Sequence, residues 1–263
     1  MSEPLFQAHG ESYVPSAHTR GPWDAHSQHG GAPAALLARE IERLEPGAAM
    51  VVARITYEFL GAVPIEPLTV NAQVVRPGRR LQLVEAELCA GGRPVVRARA
   101  VRLRRADIDL PEIARAPAGL PDPGPQRVAP EPFPADTGDE GFSRTGMEIR
   151  WSSGSYAEPG PARAWFRFAR PLVGDETVSA LQTTVAAADF GNGISRVLGF
   201  DSHLFVNTDL TVQLHRAPHG EWVMLDSVTV IDPIGAGTAR SDLYDIAGPV
   251  GLGAQTLFVE ERA

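Results

Sequence analysis

The sequence predicts an α+β protein built twice over, each half a helix and an antiparallel sheet of about five or six strands. Three observations predict it. Apolar residues recur at intervals of three and four in two stretches, 34–44 and 178–188. Each stretch is followed by strand-like runs, and most of the breaks between those runs are hairpin-sized. Landmarks also repeat at an offset of roughly 155 residues, Pro64 with Pro218 and Gly91-Gly92 with Ala247-Gly248, on either side of a proline-rich segment.

Residues 1–28 are rich in His, Ser, Gly and Pro, with one strand-like piece at 11–14. His29-Gly30-Gly31-Ala32-Pro33 then leads into Ala34, Leu37, Ala38, Ile41 and Leu44, one apolar helix face that ends before Pro46-Gly47. Pro33 suits a first helical turn, where its missing N–H costs nothing. The paired glycines admit two readings. They either let backbone N–H groups at the positive helix end face a ligand oxygen, or they make a tight entry turn with close packing.

Four strands are expected at 50–60, 67–76, 80–90 and 94–104, divided by Gly61/Pro64/Pro67, Pro77-Gly78 and Gly91-Gly92. The last carries Arg97, Arg99, Arg102, Arg104 and Arg105, read as a solvated face, with a phosphate site as the sharper alternative. From Arg105 to Ser143 the composition shifts to Pro, Ala, Gly and acids, which continue neither sheet nor helix. The domains are therefore 1–105, a semi-rigid linker at 106–143, and 144–263. In the second half, strands are expected at 147–152, 163–170, 203–215, 221–231, 237–245 and 250–260.

The second helix is expected over 177–193, capped by Asp175 or Thr177 and stopped by Gly191 or Gly193 in the left-handed conformation. Ala186, Ala187 and Ala188 keep its other faces thin, as for a helix wrapped by sheet. One acid, Asp189, stands near its end. Buried, it occupies a site that disfavours the ionised form and suits proton transfer; exposed, it merely caps the Gly-Asn-Gly turn. A long central helix swaddled by a curved antiparallel sheet is the hotdog fold. Two in one chain, each sheet around its own helix, make a double hotdog.

The chain has 263 residues, is 43% hydrophobic and 21% charged, and carries a formal charge of −8, the profile of a soluble globular protein with little affinity for nucleic acid or an anionic membrane. All 24 basic side chains are arginine, so no lysine is available for Schiff-base chemistry. Cys89, the sole cysteine, lies in a strand-like run and reads as a structural thiol. The first residues lack a basic and a long apolar region, and no later segment is long enough to span a bilayer, so a cytoplasmic protein is expected. His26 and His29 lack a third ligand at metal spacing. Ser195 lies in GISRV, without the second glycine of a nucleophile elbow. No phosphate-binding glycine fingerprint follows a strand, and no cofactor is expected.

His29-Gly30-Gly31 opening the first helix, Asp189 on the second, the run from Asn207 to Arg216, and the pattern Ala239-Arg240-Ser241 through Tyr244-Asp245 to Ala254-Gln255 together resemble the acyl-CoA thioesterase II family of double-hotdog enzymes. The resemblance covers nearly the whole chain outside the linker. It implies hydrolysis of an acyl-CoA or acyl-carrier thioester by a water held between an aspartate, a hydroxyl residue and a glutamine. These fall on Asp189, on Asn207 or its neighbour Thr208, and on Gln255. Asn207 stands where the family has Thr or Ser, and its amide could still orient water. Backbone N–H groups near His29, Gly30 and Gly31 would bind the substrate carbonyl. The hydratases of the same fold pair an acid with a helix histidine, which the second helix lacks. The rival reading is a hotdog protein that binds acyl groups without turnover. A homo-oligomer is expected from exposed sheet edges.

Overall fold

A short hairpin, β1 (Phe6–His9) and β2 (Ser12–Pro15), precedes helix α1 (Gly31–Arg43) in the computed structural model, which describes residues 2–44, 49–116, 119–121, 124–126 and 138–262. Pro33 sits in the first turn of α1, and residues 31–39 are all buried. A helix buried on every face needs sheet around it. That sheet comes from β3 (Met50–Phe59), β4 (Leu68–Arg76), β5 (Leu81–Ala90) and β6 (Arg93–Arg104), antiparallel in the order β4-β5-β6-β3. On β5 every second residue, from Gln82 to Ala90, is buried, as a strand with one face on a core requires. The turn between β5 and β6 needs left-handed backbone at Gly91 and Gly92, with φ of +53° and +77°.

The second half opens with a π-helical turn, Phe142–Gly146, then β7 (Met147–Ser153), β8 (Ala162–Phe168), helix α2 (Ala180–Ala188), a short α3 (Gly191–Ile194) and β9 (His203–Asn207). It closes with β10 (Asp209–Leu214), β11 (Val223–Asp232), β12 (Ala236–Asp245) and β13 (Gly248–Glu261), paired in the order β10-β13-β12-β11. The halves correspond strand for strand: Leu68 and Val223 open β4 and β11, Leu81 and Ala236 open β5 and β12, Arg93 and Gly248 open β6 and β13. Chain equivalents meet where β3 pairs antiparallel with β10. There Thr56 lies opposite Thr211, 155 residues on, and their hydroxyls hydrogen-bond at 3.1 Å. This pair marks a local pseudo-twofold axis.

The expectation of two separate sheets around long helices is corrected. β3 and β10 each need a partner on the open side, and pairing them joins thirteen described strands into one sheet. The two helices, thirteen and nine residues long, pack against each other on its inner side. Their approach is close at Gly31, where a Cβ would come within 2.7 Å of the Ala186 carbonyl oxygen.

Other boundaries also move. Helix α2 is capped by Ser179, not Asp175 or Thr177, because Ser179 has Gln182 three residues on and the two close a capping box. The helix expected over 177–193 stops at Ala188 and resumes as α3, and neither Gly191 nor Gly193 has a positive φ. Gly191 is needed for contact instead: a Cβ there would lie 2.7 Å from Ser241 Oγ and 3.0 Å from Gln255 Oε1. The run 203–215 is two strands. β1 was not anticipated; it is tied to the second half by Leu5 N–H to Pro171 O and Phe6 N–H to Leu172 O. Of the proline-rich segment, 106–116 hold one 3-10 turn, Glu112–Ala114, and 117–118, 122–123 and 127–137 lie outside the described residues. Phe142, at the end of that segment, is fully buried in the core. Among the described residues no helix is long and apolar enough to cross a membrane.

Candidate active site

The turn between α2 and α3 brings Asp189 to the N-terminus of α1. Asp189 has only 6% of its surface exposed, so its carboxylate must find donors within the protein. Two are present. Asn207 Nδ2 donates to Oδ1 at 2.8 Å, and His29 Nδ1 lies 2.9 Å from Oδ2. His29 is held by its N–H to Thr19 O, by stacking on Phe190 with centroids 4.3 Å apart, and by contact with Phe142 at 5.1 Å.

Gly30 completes the arrangement. A Cβ at this position would fall 2.8 Å from Asp189 Oδ2 and 3.0 Å from Phe59 Cζ, so only glycine lets the helix start sit against the carboxylate. Both glycines thus answer to the close-packing reading, Gly31 against α2 and Gly30 against Asp189 and Phe59. The Gly31 N–H is directed at His29 Nδ1, 3.1 Å away.

Gln255, on β13, is 3% exposed and does not reach the Asp189 carboxylate. Its Nε2 donates to the Asp189 backbone carbonyl at 3.1 Å, and its Oε1 accepts from the Asn192 N–H at 2.9 Å. The side chain therefore pins both sides of the turn that presents Asp189. Asn192 adds a bond from Nδ2 to Phe205 O.

Asn207 and Thr208 straddle a slip in register. Asn207 lies opposite Leu257 and Thr211 opposite Ala254, so one residue is extra across Thr208. Thr208 N–H and Oγ1 both turn to Thr256 O, at 2.9 and 3.4 Å, while Asp209 Oδ1 accepts the Thr256 N–H. Asn207 is left pointing at Asp189, and Thr208 is exposed. The bulge explains why strict alternation along 207–214 could not choose between them.

Asp189, His29, Gly30 and Asn207 lie in the wall of a cavity of about 320 Å³ whose other walls are largely apolar: Trp23, Phe59, Val63, Phe200 and Phe205. Trp23, Phe200 and Phe205 touch one another, with centroids 4.9 to 5.3 Å apart. Thr208 lines the same cavity; Gln255 does not. The aromatic wall was missed in the sequence, because its members come from three loops and strands with no common period.

One family model, the acyl-CoA thioesterase N-terminal domain, matches residues 19–103, and a second, the acyl-CoA thioesterase C-terminal domain, matches residues 125–259. The chain belongs to the acyl-CoA thioesterase family. It is a thioester hydrolase with a hotdog fold. Among solved structures, the thioesterase is similar to a protein from Novosphingobium aromaticivorans, 22% identical, TM-score 0.70, covering 98% of this chain and 99% of the other. It is similar also to a hotdog protein of unknown function from Alicyclobacillus acidocaldarius, 16% identical, TM-score 0.70, covering 98% and 96%. A third is an acyl-CoA thioesterase II from Mycobacterium marinum, 14% identical, TM-score 0.65, covering 98% and 94%. At these identities the likeness is one of fold. No curated protein matches the chain in sequence.

Elsewhere in the thioesterase, Ser195 is fully buried, with its Oγ donating to Gly191 O and bonded to Thr229 Oγ1, a structural role. Cys89 is half-buried; burial and the neighbouring Glu87 push its thiol up, away from the reactive thiolate. Arg97 and Arg99 pair with Glu87 and Glu85 on the outer face of the sheet, as a solvated row should. Arg102 does not; it is turned inward and 3% exposed. Among the described residues no group of three or more His, Cys, Asp or Glu is placed to hold a metal ion.

Proposed function

We propose that the protein hydrolyses acyl-CoA thioesters in the aromatic cavity, with Asp189 as the base that activates water. The observation that carries this reading is the placement of one buried carboxylate, held by His29 and Asn207, in the wall of an apolar cavity beside the N-terminus of α1. The acyl group lies against Trp23, Phe59, Phe200 and Phe205, where its transfer from water is favourable. The Gly30 N–H, at the positive end of α1, donates to the carbonyl oxygen as it gains charge. Water attacks the carbonyl carbon, Asp189 takes its proton, and the tetrahedral intermediate expels the thiolate with cleavage of the C–S bond. The thiolate is a good leaving group and needs little acid assistance.

Asn207 fixes the carboxylate and orients the water, while His29 holds the other carboxyl oxygen. Gln255 acts through the backbone, as a positioning residue. Thr208, bonded to Thr256 O, lines the substrate path.

The test is release of free thiol from a panel of acyl-CoA esters, short, long and aromatic, by the native protein and by Asp189→Asn. The variant keeps the shape of the side chain but not its basicity. Turnover is expected to fall by about 10²- to 10⁴-fold, the usual worth of a positioned base, with KM changed little. Full activity in the variant would remove Asp189 from the chemistry. Saturable acyl-CoA binding by the native protein with no thiol release from any ester would favour a non-catalytic acyl-binding role.

A further inference from the structure

The pseudo-twofold axis at Thr56 and Thr211 gives the active-site cavity a mate. A second cavity, of about 390 Å³, is lined by Met50, Val51, Val52, Ala217 and Pro218, the positional counterparts of Phe205, Val206, Asn207, Ala62 and Val63 in the first. Its remaining walls are Glu42 near the end of α1, the N-terminus of α2 at Ser179, Ala180 and Leu181, and Arg102. One helix's start again faces an acid at the other helix's end. The hydrolytic groups are not repeated, since Val52 stands at the counterpart of Asn207 and Ala100 at that of Gln255.

Arg102 is what the pattern does not predict. On β6 the inward row runs Val96, Ala98, Ala100, Arg102, while Leu103 is turned out at 39% exposed, the reverse of what a core strand wants. Its counterpart on β13 is Leu257, an ordinary core leucine, 1% exposed. Arg102 is buried, yet its Nη1 has no hydrogen-bond partner among the described residues. The nearby Glu42 acts on it only through its charge, with no ion pair within 4.0 Å; both Glu42 oxygens are taken by Ser179 Oγ, at 3.0 and 2.8 Å, and Oε2 also by Gln182 Nε2 at 2.8 Å. A buried guanidinium donor with nothing to donate to is costly and is kept where something else completes it.

We infer that this second cavity binds an aliphatic monocarboxylate, its carboxylate on Arg102 beside the α2 N-terminus and its chain against Met50, Val51, Val52, Leu181 and Pro218. The planar guanidinium matches a carboxylate, and the helix start favours negative charge. A phosphate dianion fits less well, because Glu42 shares the cavity and would repel the second charge. An aliphatic tail suits the apolar walls. That such an acid is also the class released by thioester hydrolysis, making the cavity a place where product is sensed, rests on the proposed function; the binding itself does not.

The experiment is calorimetric titration with octanoate, with octanol and inorganic phosphate as comparisons, on the native protein, Arg102→Gln, Val52→Phe and Asp189→Asn. Native protein is expected to show a saturable octanoate event that Arg102→Gln weakens by at least about tenfold, as for loss of a charge-assisted hydrogen bond. Val52→Phe, which fills the cavity without changing charge, is expected to weaken it similarly, and Asp189→Asn to leave it within about twofold, since that residue lies in the other cavity. Thiol release at low product should be unchanged in Arg102→Gln and Val52→Phe, which separates this site from the hydrolytic one and shows that both variants fold. The inference is overturned if native protein shows no saturable octanoate binding, if Arg102→Gln binds as the native protein does, or if octanol or phosphate binds as well as octanoate.

Discussion

The two halves share a plan strand for strand and differ in a few buried polar side chains. Asn207, Asp245 and Gln255 in the second half stand where the first has Val52, Ala90 and Ala100; in return the first half has Arg102 where the second has Leu257. The backbone of a hotdog half therefore does not by itself make a catalytic site. Asn207 on β9 and Gln255 on β13, added to one copy, hold the aspartate and the α2–α3 turn in place, while Asp245 on β12 ties down Arg216 and the backbone at His219 and Ala247. Without them, the same concavity in the other copy is a plain pocket with one buried cation.

Writing first-half residues into the second half tests how far that contrast carries function. The largest effect is expected from Asp245→Ala. Asp245 is fully buried and bonded through both oxygens to Arg216, each at 2.6 Å, and it also accepts the N–H groups of His219 and Ala247. Burial alone would raise its carboxyl, but Arg216 and the two N–H groups outweigh this and hold it below the usual carboxylate range. Removing it takes the ion partner from Arg216, leaving only the carbonyls of Ala217, Gly248 and Pro249 as acceptors, and should cost about 3 kcal/mol in denaturant unfolding, with the acyl preference of surviving activity unchanged. Because the folded form binds this proton more weakly than the unfolded chain, the contribution is complete above about pH 4, the unfolded aspartate value. It is lost as pH falls through the folded value. The variant should lack that part of the acid slope seen in the native protein.

Gln255→Ala should cost somewhat less stability, about 2 kcal/mol, from the buried Asn192 N–H left without its acceptor. The contrast sharpens if kcat falls while acyl-CoA binding persists, since the glutamine acts on the turn and not on the ligand. Asn207→Val is the mildest: one donor to Asp189 is lost, and a drop in kcat/KM of about tenfold is expected. Activity equal to native in Asn207→Val would mean that His29 alone suffices to hold the carboxylate.

How much of this was legible follows from distance along the chain. The strands of both halves could be read from alternation and from glycines that only a hairpin tolerates, and the repeat from matching landmarks. The one-sheet architecture could not, because the pairing of β3 with β10 is a meeting of two edges that each look complete in sequence. Four residues with one buried side chain, Phe6, gave β1 no period to detect. At the site, the resemblance pointed to Asp189, Asn207 and Gln255, but nothing local told that His29 would reach Asp189 or that Gln255 would grip backbone on both sides of it. Phe142 was hidden among prolines and acids, although it packs under His29. Arg102 was hidden in the opposite way, inside a run of arginines whose neighbours do point to water; only the parity of β6 sets it apart.

The Thr56–Thr211 seam also has a consequence in time. During synthesis β3 emerges long before β10, its partner 155 residues later, and at about 5–20 residues per second the wait is roughly 8–30 s. Over that interval the nascent first half carries an open hydrogen-bonding edge, and a neighbouring nascent copy offers an identical one. The protein is thus most exposed to mispairing before it is finished, and slowing the ribosome within the proline-rich segment should raise the aggregated fraction without changing the stability of the molecules that complete the sheet.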